Sequence, residues 1–206
     1  MVWVKICGVT SVADAALARD AGADAIGLNF VPSSPRALDV ELGRRIRDAV
    51  GGSLEVVAVV ADCEHERLLE LRAALAPDWL QLHGSETTDA LSRLLPGAYK
   101  VIHVRDPADV ASADGFAGDR LLVDAKVPGH LGGTGQAFDY SLVRELAQRR
   151  SLILAGGLNP ATVAAAVQLV KPFGVDVASG VEVAGQPRHK DPEKVRGFVE
   201  QAKRAS

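Results

Sequence analysis

The feature of this sequence that most constrains its fold is an alternation, repeated along the whole chain, of short apolar runs and longer amphipathic stretches. Eight short runs predict β-strands: VWVKIC, AIGLNF, LEVVAVVA, WLQLHG, YKVIHV, RLLVDA, LILAGG and VDVASG. Each run is followed by a stretch with helical periodicity that is rich in Ala and Leu. Alternating strands and helices predict a parallel sheet covered by helices. Eight such units in 206 residues are close to the lower size limit of a (β/α)8 TIM barrel, which is the α/β fold we expect.

Helices are predicted between the strands, and several begin with capping residues. Ser11, with Asp14 three positions later, marks the first helix start, and three pairs in which Asp or Asn precedes Pro mark others. These pairs are Asp106-Pro107, Asn159-Pro160 and Asp191-Pro192. The predicted helices lie near 11–21, 39–49, 64–75, 86–95, 106–114, 139–149, 160–170 and 192–204. No linker or low-complexity tract divides the chain, so we expect one barrel domain spanning residues 1–206.

A doubly wound open sheet is the alternative architecture. It predicts a GxGxxG motif after the first strand, and the KICGVT segment lacks that motif. A spaced acidic pattern favours the barrel, since Asp24, Asp78, Asp119 and Asp176 open every second strand run. Although Asp is also common in the turns that precede strands, the pattern suggests a two-strand unit repeated around a closed sheet.

Net charge and cysteine content limit which partners and which cellular compartment we expect for this protein. The formal net charge is −3, so nothing suggests binding to nucleic acid or to an anionic membrane surface. No apolar stretch approaches the ~20 residues that cross a bilayer. The two cysteines, Cys7 and Cys63, form neither a disulfide framework nor a metal-ligand pattern, and this usage is typical of a reducing cytosol. We therefore expect a cytoplasmic protein, and we assign Cys63 no role.

Two strand ends carry side chains suited to proton transfer. In a (β/α)8 barrel, function gathers at the carboxyl ends of the strands, and Cys7 and Asp124 end the first and sixth runs. Strand alternation puts Lys5 on the same face as Cys7. A free thiol has a pKa of roughly 8.5, and a nearby ammonium group is expected to raise the thiolate fraction. A carboxylate at the barrel mouth is well placed for acid–base work, although a structural Cys and a loop-anchoring Asp are the simpler alternatives.

The last two strand ends predict a phosphate site. Gly156 and Gly157 follow the seventh strand, and Ser179 and Gly180 follow the eighth. Glycines let the backbone approach a ligand closely, and backbone N–H groups at a following helix N-terminus hold a phosphate well. Barrels often bind phosphate at this place. We expect Asn159 to cap the helix after the seventh strand, although glycines here also make tight turns.

Other loops and side chains at the same end of the barrel are candidates for ligand contact. Arg36 follows the second strand, and its planar guanidinium suits a carboxylate. The loop at 126–138 after the sixth strand is long and holds four glycines, so it is a candidate lid. Lys5, Gln81 and His83 are expected to complete the lining. The five histidines show no ligand spacing along the chain, so we expect no metal site.

Taken together, these segments resemble one family over the whole length of the chain, the phosphoribosylanthranilate isomerases of tryptophan biosynthesis. The matching segments are KICGVT, SPR, QLHG, LLVDAKVPGHLGGTGQAFD, LAGGLNP and GVDVASGVE, in that order. The resemblance implies an Amadori rearrangement of N-(5'-phosphoribosyl)anthranilate, an aldose–ketose isomerisation that needs no cofactor or metal. It also implies that the partner is a small phosphorylated substrate. The sequence leaves both a monomer and a homodimer open.

The resemblance also implies roles for individual residues. Cys7 matches the general base of the family, Asp124 its general acid and Arg36 the residue that meets the anthranilate carboxylate. The phosphate-holding segments match Gly156, Gly157, Ser179 and Gly180. Two alternatives remain at this point. One is a histidine-pathway barrel that performs an analogous rearrangement with a carboxylate pair, against which the Cys7 thiol argues. The other is a catalytically silent barrel that acts as a binding module.

Overall fold

A closed barrel of eight parallel strands forms the centre of the protein. In the computed structural model, which describes residues 1–104, 107–124 and 141–206, each strand pairs with its neighbours in chain order and β1 pairs with β8. The strands are β1 Trp3–Cys7, β2 Ala25–Asn29, β3 Glu55–Val60, β4 Trp79–Leu82, β5 Ala98–His103, β6 Arg120–Asp124, β7 Ser151–Ala155 and β8 Gly174–Val177. The predicted barrel is therefore confirmed, and the open-sheet alternative is wrong. The segments that contain Asp106 and the candidate lid at 126–138 lie outside the described residues.

Helices follow the strands and cover the outside of the barrel. They are α1 Val12–Asp20, α2 Val40–Val50, α3 His65–Leu75, α4 Thr88–Ser92, α5 Pro107–Ser112, α6 Ser141–Arg149, α7 Val163–Val170 and α8 Pro192–Arg204. Buried Val, Leu, Ile and Ala side chains between strands and helices form the larger of two core clusters. Among the described residues, no helix combines the length and the apolar character that crossing a bilayer requires.

Two of the predicted helix caps are present and one is not. Ser11 accepts a hydrogen bond from the backbone N–H of Asp14, and Asp191 caps α8. The prediction that Asn159 caps a helix beginning at residue 160 is wrong. The Asn159 side chain accepts the N–H of Ala161 in a turn, and α7 begins only at Val163. The local hydrogen bond of an Asn side chain stabilises a turn as readily as a helix start.

The spaced aspartates have two different structural roles. Asp24 and Asp78 stand directly before β2 and β4, and each accepts a backbone N–H from the preceding strand, at 2.8 and 2.7 Å. Asp119 precedes β6 and accepts a hydrogen bond from a serine hydroxyl of β7. Asp176 departs from the pattern because it is the third residue of β8 and is buried. Three of the four spaced aspartates therefore form hydrogen bonds to a neighbouring strand, and Asp176 does not share their position before a strand.

Side chains fill the amino-terminal end of the barrel. The guanidinium carbon of Arg120 lies 3.9 Å from the ring centroid of Trp79 and 5.2 Å from those of Trp3 and Phe173. Its Nη1 pairs with Glu55 at 3.0 Å. Such cation–π stacking is favourable where water is partly excluded. The open end of the barrel is therefore the carboxyl end, where the predicted site residues lie.

A short antiparallel hairpin after β8 is an element that the sequence patterns do not predict. Its strands are β9 Glu182–Val183 and β10 Gln186–Lys190. The hairpin is tied to the first βα loop, because the Thr10 hydroxyl donates to the carbonyl of Arg188 at 2.6 Å. β10 is largely polar and lacks the alternation of a half-buried strand. This hairpin lies beside the barrel mouth and supplies side chains to it.

Candidate active site

One cavity at the carboxyl end of the barrel brings together nine of the ten predicted site residues. Its volume is about 390 Å³, within the range usual for small-molecule sites. The nine are Cys7, Arg36, Gln81, His83, Asp124, Gly156, Gly157, Ser179 and Gly180. The tenth, Lys5, lies within the barrel and is fully buried. Because the strands are parallel, all their carboxyl ends meet at one edge, which is why residues so distant in sequence converge.

The Cys7 thiol is the candidate nucleophile or base of this cavity. It is 8% exposed at the end of β1. Burial raises the pKa of this thiol, the Lys5 ammonium and Lys190 lower it, and the net direction is upward. This is opposite to the direction that the sequence suggests, because loss of solvation outweighs the effect of the cations. The resting group is therefore a neutral thiol with cations available to stabilise its charged form.

Glycines on both sides of Cys7 make room for the functional side chains. A Cβ on Gly27 of β2 would lie 2.7 Å from the Cys7 sulfur. Gly8 has a φ of +70°, and a Cβ there would overlap the Cδ of Arg36. Since only glycine adopts that backbone without strain, the Cys-Gly sequence both ends the strand and lets the Arg36 stem cross it. The thiol and the guanidinium are thereby built into one wall.

Arg36 is held by a carboxylate that the sequence analysis did not identify. Its Nε and Nη2 donate to the two carboxylate oxygens of Glu182, at 2.6 and 2.7 Å. Lys190 Nζ lies 3.0 Å from the same carboxylate. Burial raises the pKa of Glu182, but the hydrogen bond from Arg36 and the charge of Lys190 more than offset this, and the pKa is lowered overall. Glu182 is therefore ionised. The bidentate pair uses the Nε–Nη2 edge of Arg36, and the adjacent Nη1–Nη2 edge faces away from Glu182.

The hairpin also fixes the loop that carries Arg36. Nη1 of Arg188 donates to the carbonyls of Pro35 and Ala37, at 3.1 and 3.0 Å. These two residues flank Arg36 in the chain. Side chains of β9 and β10 thus hold both the guanidinium and the backbone on either side of it. The hairpin acts as the scaffold of the predicted carboxylate-binding residue.

The glycine-rich ends of β7 and β8 form a second wall of the cavity. Gly156 and Gly157 have φ angles of +95° and +67°, which favour glycine. A Cβ on Gly180 would overlap the carbonyl of Leu158, so the two loops approach each other closely. Ser179 begins a single 3-10 turn one residue after β8 ends. The expected α-helix N-terminus is absent next to Gly157, because α7 starts later, and backbone from two strand ends lines the cavity instead.

A hydrogen-bonded network lies at the centre of the barrel beneath the cavity. Lys5 Nζ donates to Asp176 at 2.9 Å and to the Gln81 oxygen at 2.8 Å. The Tyr99 hydroxyl donates to the same oxygen at 2.9 Å, and Gln81 Nε2 lies 3.1 Å from His83 Nδ1. Burial lowers the pKa of Lys5, but Asp176, Cys7 and Tyr99 together more than offset this, and the pKa is raised. The ammonium group is therefore charged, and it donates to two buried oxygens.

His103 is a residue at the mouth that the sequence analysis did not select. Its ring packs edge-on against His83 with centroids 5.1 Å apart, and its Nδ1 lies 3.9 Å from Asp124. Potential metal-ligand atoms of these three residues lie within 4.8 Å of one another. Spacing along the chain does not reveal this cluster, because His103 and Asp124 become neighbours only through the β5–β6 register. The expectation that no metal is needed stays a prediction.

Comparison with known proteins agrees with the site geometry. The sequence profile of the family described as "N-(5'phosphoribosyl)anthranilate (PRA) isomerase" matches residues 4–201. A curated relative, the N-(5'-phosphoribosyl)anthranilate isomerase of Magnetococcus marinus, is 41% identical over 99% of this chain and 96% of its own.

Two solved structures show the same architecture. A phosphoribosyl anthranilate isomerase in complex with reduced 1-(o-carboxyphenylamino)-1-deoxyribulose 5-phosphate has a TM-score of 0.86 and 33% identity, over 98% of this chain and 99% of its own. The structure of monomers generated from the dimeric enzyme of Thermotoga maritima has a TM-score of 0.83 and 32% identity, over 98% of this chain and 99% of its own. The chain therefore belongs to the N-(5'-phosphoribosyl)anthranilate isomerase family.

Proposed function

We propose that this chain converts N-(5'-phosphoribosyl)anthranilate to 1-(2-carboxyphenylamino)-1-deoxyribulose 5-phosphate, an isomerisation step of tryptophan biosynthesis. The observation that carries the proposal is one cavity lined by a thiol, a carboxylate, an arginine and two glycine-rich strand ends. These groups match the demands of the substrate, which has a sugar to isomerise, a carboxylate and a phosphate. The complex of a relative with the reduced product supports the same substrate class.

The proposed mechanism uses Asp124 as acid and Cys7 as base. Asp124 protonates the furanose ring oxygen, the ring C–O bond breaks, and the nitrogen lone pair forms a Schiff base. Cys7 then removes the proton from C2' of the sugar, and the electrons of that bond move to give an enolamine. Tautomerisation of the enolamine yields the ketose, so no atom is gained or lost. The iminium makes the C2' proton acidic. The Cys7 thiol, neutral at rest, first gives its own proton to solvent, and Lys5 and Lys190 favour the thiolate that then accepts the C2' proton.

We propose that the two anionic groups of the substrate bind at two different parts of the cavity wall, the carboxylate at Arg36 and the phosphate at the glycine-rich strand ends. The Nη1–Nη2 edge of Arg36 receives the anthranilate carboxylate, with Glu182 holding the other edge. The phosphate lies against the backbone of Gly156, Gly157, Ser179 and Gly180, where positive φ angles and close loop packing support an approach by backbone N–H groups. No cofactor enters this mechanism.

Two broader expectations belong to the same proposal. We place the whole chain, residues 1–206, in one barrel domain, which the closed sheet supports. We also propose a cytoplasmic location, which the two free cysteines support. Sedimentation of the purified chain distinguishes a monomer from a homodimer.

Glu182→Gln is expected to raise KM for phosphoribosylanthranilate about 10- to 100-fold with a smaller change in kcat. A charge-assisted bidentate pair is worth about 1.5–3 kcal/mol, and its loss leaves the Arg36 guanidinium free to leave the position that meets the substrate carboxylate. Steady-state kinetics measure the effect. Glu193→Gln, an exposed change in the first turn of α8, is the matched control. An unchanged KM in a Glu182→Gln variant that melts like the wild type would show that Glu182 does not position Arg36.

The proposed function is tested by following the fluorescence loss that accompanies conversion of phosphoribosylanthranilate. The purified full chain is expected to turn the substrate over without added metal or cofactor. A parallel assay with the phosphoribosyl substrate of the histidine-pathway rearrangement identifies an enzyme with two substrates. Absence of turnover of the anthranilate substrate by a folded chain would overturn the proposal, and that is the result a silent binding module predicts.

A further inference from the structure

The amide of Gln81 has only one orientation that its neighbours allow. Its side chain is 1% exposed, and its oxygen accepts from Lys5 Nζ and from the Tyr99 hydroxyl, at 2.8 and 2.9 Å. An ammonium group donates and never accepts, so the oxygen must face Lys5. Asp176 holds that ammonium group in place at 2.9 Å. The amide nitrogen therefore faces the opposite way, toward the mouth of the barrel.

This orientation determines which nitrogen of His83 carries the proton. Gln81 Nε2 lies 3.1 Å from His83 Nδ1, and an amide nitrogen only donates. Nδ1 must therefore accept, and in the neutral ring the proton then resides on Nε2. A doubly protonated ring would set the Nδ1–H of His83 against a donor of Gln81. The geometry thus disfavours both the other tautomer and the charged form.

The groups around His83 agree with a neutral ring. Burial lowers its pKa most, and the neighbouring His103 ring and Lys5 lower it further. The Asp124 and Asp176 carboxylates raise the pKa of His83, but by less than the other groups lower it. The net pKa lies below the ordinary value, so the ring is uncharged at neutral pH. His83 also lines the cavity that holds the thiol and the carboxylate.

We propose that His83 is a further substrate-contacting residue, whose Nε2–H donates a hydrogen bond to an oxygen of the bound sugar, and that Gln81 is the positioning residue that keeps the proton on that nitrogen. The inference rests on the proposed function, because the sugar is the proposed substrate. His83 then serves as a neutral donor and not as a second base, since the nitrogen available to the ligand already carries its proton.

The same arrangement opposes metal binding at the cluster of His83, His103 and Asp124. A metal-bound imidazole normally donates the N–H of its other nitrogen to an acceptor. Here a donor of Gln81 faces Nδ1 of His83. A metal at Nε2 would require a proton at Nδ1, directly against that donor, whereas a metal at Nδ1 would have to displace Gln81. The network therefore keeps His83 available to an organic ligand.

Long-range ¹H–¹⁵N correlation spectra of the ¹⁵N-labelled full chain test the tautomer directly. The His83 signals are assigned by their loss in His83→Gln. We expect a ring protonated at Nε2, with no charging at the pH near 6.5 where a free histidine titrates. In Gln81→Glu, the new carboxylate accepts from Nδ1, so the tautomer is expected to switch to Nδ1–H and the pKa to rise. A wild-type ring protonated at Nδ1, or one that charges at an ordinary pH, overturns the inference.

Kinetics test the contact with substrate. His83→Leu is expected to lower kcat/KM about 100-fold, as loss of one well-placed donor does in other active sites, and His83→Gln, which keeps an N–H donor, is expected to recover at least tenfold of that loss. His65→Gln at the start of α3 is the control. Equal activity of the Leu and Gln variants would overturn the donor role. Because the tautomer is measured without substrate, an inactive wild-type chain would count against the proposed function and not against the role of Gln81.

Discussion

Replacing Cys7 with Ala will lower kcat for phosphoribosylanthranilate by about a thousandfold or more while leaving ligand binding largely intact. The thiol is the only group we assign to removal of the C2' proton, and positioned proton transfer typically contributes ~10²–10⁴-fold. Cys7→Ser is expected to be similarly impaired, because a hydroxyl is a far weaker acid and its anion is scarcely populated. Turnover is measured by fluorescence loss, and binding by titration with the reduced product that a relative binds.

The second cysteine provides the matched control for this experiment. Cys63 is half-buried, and its thiol lies 3.6 Å from the carbonyl of Ala61. Cys63→Ala should leave turnover within about twofold of the wild type, because Cys63 does not line the active-site cavity. Turnover within a few fold of wild type in Cys7→Ala would remove the thiol from the mechanism, and some other group would then have to take the C2' proton.

Asp124→Asn is the second change with a large expected effect, again about a thousandfold or more in kcat. The amide has almost the same shape as the carboxyl group but cannot give a proton to the furanose ring oxygen. Ring opening should therefore fail before Cys7 acts. Because the cavity keeps its shape, the reduced product should bind the variant nearly as well as it binds the wild type.

The control for Asp124→Asn is Asp20→Asn, which alters a carboxylate on α1 whose side chain is 66% exposed and pairs with Arg19. Melting temperatures of both variants verify the fold. A high turnover number in Asp124→Asn would assign the acid role elsewhere. His103 would then be the first group to examine, because its Nδ1 lies 3.9 Å from the Asp124 carboxylate.

The barrel and most of the cavity could be predicted from the sequence because they depend on local patterns. Apolar runs of strand length alternate with helical stretches, and the barrel topology then carries every strand end to one edge. Cys7 and Asp124 are found by asking which strands end in reactive side chains. Their placement in one cavity needs no knowledge of individual side-chain contacts.

The features that escaped prediction depend on contacts between distant segments. Glu182 and Arg36 are 146 positions apart, and nothing in either local segment indicates that they pair. The β9–β10 hairpin is polar, so periodicity does not distinguish it from a loop. The pKa of Cys7 departs from the expectation for a related reason: the sequence locates the Lys5 cation, but only the packed structure shows how completely the thiol loses water.

The Arg120 stack at the amino-terminal end of the barrel affects the route by which substrate enters the cavity and product leaves it. Two indole rings, a phenyl ring and a guanidinium group occupy that end, so among the described residues these side chains close the barrel axis there. Substrate must therefore enter, and the ketose product must leave, through the carboxyl end of the barrel. The product has to leave the cavity before the next substrate molecule can bind.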